Sequence, residues 1–161
     1  MSVFKFKSLM QNGRVRGFDE LKIRSVLKYM TDLKVENNEE IGHYGQTLVN
    51  AAYTVHKTPG PGLLEKDYEV CFCYVPEKNG CIVKRQLGIP IVFDGIVFDE
   101  GLRLDVMVNN LAICELKALE TVNPVWEAQL LNHLKLTGKR LGYLINFNVP
   151  LIKDGIKKII L

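Results

Sequence analysis

The chain has 161 residues, 47% hydrophobic and 24% charged, the balance of an ordinary globular domain with enough length for a real core. That balance excludes disorder as the main state, and no apolar run approaches the roughly 20 residues of a membrane-spanning helix. The net charge of +3 is uneven: residues 1–38 carry eight Lys or Arg against four acids, and the rest carry thirteen against fourteen. A near-neutral body does not advertise nucleic-acid binding by bulk electrostatics, so its chemistry must come from a local site.

In chain order, residues 1–38 form a basic N-terminal extension. Its opening interleaves lysines with single apolar residues, unlike a secretory signal. Within it Ile23, Val26, Leu27 and Met30 have the spacing of a short amphipathic helix, and Met30 is an alternative initiator. The polar run 36–40 marks the boundary with a domain over 39–161. Residues 40–56 read as a helix with an apolar stripe at Ile41, Tyr44, Leu48, Ala51, Ala52 and Val55. The Pro59-Gly60-Pro61-Gly62 segment interrupts it. Residues 63–75 read as a second helix, stopped by Pro76 and Asn79-Gly80. Short strands are expected at 81–87, 89–93, 96–98, 102–108 and 111–116, with turns at Asp94-Gly95 and Asn109-Asn110. Asn123-Pro124 opens a third helix that Gly138 closes. Strands at 141–147 and 156–161 complete an order that predicts a mixed sheet flanked by helices. Cys71, Cys73, Cys81 and Cys114 make no C-x-x-C pair and read as reduced thiols of a cytoplasmic protein.

Three acid-x-Lys tripeptides occur, and only Glu115-Leu116-Lys117 follows an apolar strand, Leu111–Cys114. Charges are rarely placed in a buried strand without a partner or a metal. Strand alternation puts Glu115 and Lys117 on one face, and Arg103, Asp105 and Met107 on one face of the preceding strand. If those faces coincide, Asp105, Glu115 and Lys117 converge. Such a group either holds a divalent cation through hard oxygens or closes an inward salt bridge. The register decides. A two-residue loop at Asn109-Asn110 would set 105 opposite 114, with the two carboxylates on opposite faces. A three-residue connection, 109–111, pairs 108 with 112 and brings 105 opposite 115, with Asn110 the natural left-handed residue. We therefore expect the longer loop or a bulge.

Glu65 shares a helix face with Glu69, and its position in the first helical turn is sufficiently explained by the helix dipole. Gln129, among Ala128, Leu130 and Leu131, is either aimed at the site or solvated. All three serines lie in the extension, which leaves a Ser-His-Asp triad no nucleophile in the body. His43, His56 and His133 are scattered, and no Cys/His spacing suits zinc.

The run Asn50–Lys57, then Gly60-Pro-Gly62-Leu-Leu-Glu65-Lys-Asp-Tyr68-Glu69, resembles the GxxExxY family, whose name is met by Gly62, Glu65 and Tyr68. Further likenesses are Gly101–Asp105, Glu115–Lys117, Glu127–Gly138, Leu141-Gly142 and Asn146-Phe147, in order over about residues 40–155. That family is assigned to the PD-(D/E)XK nuclease-like superfamily. The resemblance implies a restriction-endonuclease-like α-β-β-β-α-β core and a Mg²⁺- or Mn²⁺-dependent nuclease acting on nucleic acid, with DNA the expected polymer. It further implies metal ligands at Asp105, Glu115 and Glu65, a lysine beside the nucleophilic water at Lys117, and a polar site residue at Gln129. Trp126 and His133 depart from it, standing where the family often shows histidine and tyrosine. The alternative is a module that keeps the fold without hydrolysis and binds nucleic acid or a protein partner.

Overall fold

The computed structural model describes residues 38–161, apart from Gly95. The expected helix around Ile23–Met30 lies outside the described residues. Among the described residues four helices and five strands follow in chain order: α1 (Asn38–Lys57), α2 (Glu65–Lys78), β1 (Val83–Phe93), β2 (Ile96–Val108), β3 (Ala112–Lys117), α3 (Val125–Thr137), β4 (Leu141–Asn146), α4 (Ile152–Gly155) and β5 (Ile156–Ile160). The strands form one mixed sheet in the order β1-β2-β3-β4-β5. β2 runs antiparallel to β3, β3 parallel to β4, and β4 antiparallel to β5. The α+β architecture is the expected one. Two compact units are distinguished: residues 38–87 with 103–161, and a second containing Gly88–Leu102. In the second, the distal ends of β1 and β2 turn back at Asp94, whose φ is +48°. The core and the candidate site lie in the first. Among the described residues no helix is long and apolar enough to cross a membrane.

The two faces of the sheet carry different burdens. One receives α1 and α2. Leu48, Ala51, Ala52 and Val55 of α1 and Tyr68, Phe72 and Cys73 of α2 pack with Val106, Val108, Cys114, Leu116, Tyr143 and Ile145 in one buried cluster. The alternating residues Met107, Ile113, Glu115, Gly142 and Leu144 turn to the other face, where α3 lies. A side chain at Gly142 would put its Cβ 2.9 Å from Leu134 Cδ1 and 3.0 Å from Leu130 Cδ1. The missing side chain is what lets α3 settle on β4.

Local chemistry explains the element ends. Asn123 accepts the Val125 N–H through its side chain at 3.0 Å, and Gly138 ends α3 at φ +69°. Two expectations need correction. The four short runs before residue 108 are two long strands, because Gln86 at φ +49° and Pro90 are accommodated within β1 instead of ending it. Of the two stop signals, Asn79-Gly80 ends α2 after Lys78 and Pro76 does not. It occupies the last turn, and its carbonyl accepts the N–H groups of Asn79 and Cys81 at 3.0 Å each, so only one helical N–H is lost.

Candidate active site

The register that brings the acids together is set by a three-residue connection. Val106 pairs with Cys114, Met107 with Ile113 and Val108 with Ala112, so the count continues to 105 opposite 115. Both Asn109 (φ +51°) and Asn110 (φ +52°) are left-handed, one more such residue than expected, and Leu111 N–H closes the turn on Val108 C=O at 3.0 Å. Asparagine tolerates this backbone because its short side chain can bond locally. In Asn109 the side chain is used at long range instead: its Oδ1 accepts the Ile82 N–H at 2.7 Å, while its own N–H donates to Ile82 C=O at 2.8 Å.

Asp105, Glu115 and Lys117 therefore meet on the α3 face. Beyond the last ladder pair the Asp105 carboxylate replaces the backbone, Oδ2 accepting the Leu116 N–H at 2.9 Å. The Lys117 ammonium donates to Leu116 C=O at 2.9 Å and lies 3.5 Å from Asp105 Oδ2 and 3.7 Å from Glu115 Oε2. The last distance is an ion pair, not a hydrogen bond. Lys117 and the strand end are held from β4: Phe147 N–H donates to Lys117 C=O at 2.8 Å, and Asn146 exchanges both of its amide functions with Leu119. The Asn146-Phe147 pair thus fixes the exit of the strand that bears the lysine.

Glu115 is the most buried member, its side chain 1% exposed. Its carboxyl is pushed up, first by burial. The His133 hydrogen bond opposes this, the Asp105 charge adds to it, and His133 and Lys117 pull back as charges. His133 was missed as a site residue. Its Nδ1 lies 2.6 Å from Glu115 Oε1, and the ring is equally buried. The available signal was a histidine within the otherwise apolar stripe Trp126, Leu130, Leu134 of α3.

Glu65 opens α2 and stays solvent-accessible. Its carboxyl is nevertheless raised by partial burial, with Lys117 opposing and Asp105, Glu115 and Glu69 adding to the rise, so it lies within the field of the cluster. Glu69 turns away to β1, where Arg85 Nε donates to it at 2.7 Å and Gln86 also binds it. Gln129 is half-buried one turn before His133 and makes no hydrogen bond to either carboxylate. Tyr68 is wholly buried and organises the approach to Glu65. Its hydroxyl donates to Gly60 C=O and accepts the Leu63 N–H at 3.2 Å, and its ring stacks on Phe147 at 4.6 Å. Gly60 and Gly62, at φ +67° and +113°, supply the backbone this loop requires.

The family model of the PD-(D/E)XK nuclease superfamily matches residues 42–159. The chain belongs to this superfamily. Neither a curated protein nor a solved structure gives a significant match. PD-(D/E)XK nucleases generally use a divalent metal, so the fit of these residues to such an ion can be tested. Among the described residues no three His, Cys, Asp or Glu side chains are gathered tightly enough to hold one alone. Two hard-oxygen donors do converge, and Glu115 Oε2 is buried with no hydrogen-bond partner, an acceptor that a hard cation would satisfy. Magnesium is commonly held by one or two carboxylates, with water and substrate phosphate completing its shell. Asp105 and Glu115 fit that pattern.

Proposed function

We propose that this PD-(D/E)XK chain is a Mg²⁺- or Mn²⁺-dependent nuclease that hydrolyses phosphodiester bonds, with DNA as the polymer, and that it belongs to the GxxExxY family. The observation that carries the reading is the convergence of Asp105, Glu115 and Lys117 through the 108–112 register. Asp105 and Glu115 would hold the cation and Glu65 would assist at its open side. A bound divalent ion supplies Lewis-acid stabilisation of the phosphoryl oxygens and a more acidic water. The chain's own contribution is positional. Asp105 is locked by the Leu116 N–H, and Lys117 would stand beside the attacking water, its ammonium offered to the charge that develops on the phosphoryl oxygens. Gln129 would orient substrate from α3. The Tyr68-pinned loop sets where Glu65 begins its helix.

The test is incubation of the purified chain with labelled single- and double-stranded DNA and RNA, with Mg²⁺, with Mn²⁺ or with chelator, beside Glu115→Gln. Metal-dependent cleavage that disappears in Glu115→Gln is the expected result. Equal cleavage by both proteins would expose a contaminant. Metal binding without cleavage of any polymer would favour a non-hydrolytic module.

A further inference from the structure

We propose that His133 is a positioning residue of this site, its Nδ1–H fixing the Glu115 carboxylate so that Oε2 is the oxygen offered to a divalent cation. The inference rests on the metal-dependent reading above. Three observations carry it. Nδ1 stands 2.6 Å from Oε1, with both side chains 1% exposed. Among the described residues Oε2 has no hydrogen-bond partner, and it stands 3.7 Å from the Lys117 ammonium. Nε2 of His133 is buried and likewise without a partner.

The last observation assigns the tautomer. A hydrogen on Nε2 would leave a buried donor unsatisfied and set the bare Nδ1 lone pair against a carboxylate oxygen. A hydrogen on Nδ1 donates to Oε1 and leaves only a lone pair unmatched. The ring is in turn fixed by its helix. The Thr137 hydroxyl donates to His133 C=O at 2.7 Å, and the neighbouring leucines, 130 and 134, rest on Gly142. Without the Nδ1–H the carboxylate could rotate, bringing both oxygens to Lys117 and letting the ammonium compete with the cation. His133 holds Oε1 away from that competition.

The experiment uses the full chain as wild type, Glu115→Gln, His133→Leu and His133→Asn. Leucine removes the donor, whereas the asparagine amide can restore an N–H near the Nδ1 position. Mn²⁺ affinity is read by titration calorimetry, folding by thermal melting, and the tautomer by long-range ¹⁵N–¹H correlation on metal-free wild type. The expected results are a protonated Nδ1, an affinity about 10- to 100-fold weaker in His133→Leu, and recovery to within about threefold of wild type in His133→Asn. An Nε2–H tautomer, or wild-type Mn²⁺ affinity in His133→Leu, would overturn the inference. So would an asparagine variant as weak as the leucine one, since the ring would then act through packing alone. Should His133→Leu not fold, the tautomer and the asparagine variant decide. Binding lost in Glu115→Gln but kept in both His133 variants sinks only this inference. Wild type that binds no Mn²⁺ sinks the metal-dependent reading and the inference with it.

Discussion

Glu115 carries a conflict that one substitution can expose. Burial and the Asp105 charge raise its carboxyl in spite of His133 and Lys117, so the folded chain holds this proton more tightly than the unfolded chain. A carboxyl raised by folding contributes stability at acid pH. That contribution is lost as pH rises from the ordinary value of 4.5 through the raised one. Glu115→Gln keeps the shape and an oxygen for the His133 N–H but removes the charge. The metal-free variant should therefore melt no lower than wild type at pH 7, with any advantage shrinking as pH falls toward the ordinary value, and it should lose Mn²⁺ affinity. A clearly lower melting temperature at pH 7 would mean that the Glu115–Lys117–His133 cluster is a net stabilising ion group. At this scale Asp105, Glu115 and Lys117 were legible because strand alternation is a two-residue rule that needs only local sequence. His133 was not, because it reaches Glu115 across 18 positions by the seating of one helix on a sheet, which no local period encodes.

At the scale of elements, the loop between β2 and β3 determines whether there is a site at all. The demand that 105 face 115 left either a three-residue loop or a bulge, and asparagine's tolerance of left-handed backbone made 109–111 the natural place for the loop. The second left-handed residue and the tie to Ile82 were not readable, since Ile82 lies 27 positions away. Asn109 has two duties: it adopts φ +51° and it accepts the Ile82 N–H at 2.7 Å. Asn109→Asp keeps both the short side chain and an acceptor, and should stay within about 0.5 kcal/mol of wild type. Asn109→Ala loses the acceptor and adds backbone strain, and should cost about 2 kcal/mol in denaturant unfolding. Equal midpoints for the two variants would show that the bond to residue 82 contributes nothing to stability. The lengths of β1 and β2 were misread for a related reason. Pro and Gly are turn signals only when the backbone around them is free to turn, and here sheet pairing overrides them.

Across the whole molecule, the main buried cluster and the Asp105–Glu115–Lys117 group occupy opposite faces of one sheet, and Glu65 belongs to α2 on the cluster's side. The cluster under α1 and α2 is built from residues between Ile41 and Ile152, while the ionisable groups stand on the α3 face. The order of elements was legible because each face leaves its period in the sequence. The depth of burial of the charged face was not, because it depends on how closely α3 approaches at Gly142. That separation leads to a prediction about residues 1–38. The described members of the buried cluster all lie within residues 41–152, so a chain lacking 1–38 should retain a cooperative unfolding transition and Mn²⁺ binding that depends on Glu115. They do carry eight Lys or Arg against four acids, whereas the remainder carries thirteen against fourteen. Affinity for a polyanion falls with salt in proportion to the phosphates neutralised, at roughly 0.9 of logarithmic slope per contact. Truncation should therefore weaken nucleic-acid binding at low salt and flatten its salt dependence by several units of slope, measured by fluorescence anisotropy over a salt series. Cleavage at saturating substrate should change far less, since no member of the Asp105–Glu115–Lys117 cluster has been removed. An unchanged slope would place the phosphate contacts on the near-neutral body, and loss of the unfolding transition would show that the core needs the extension to fold.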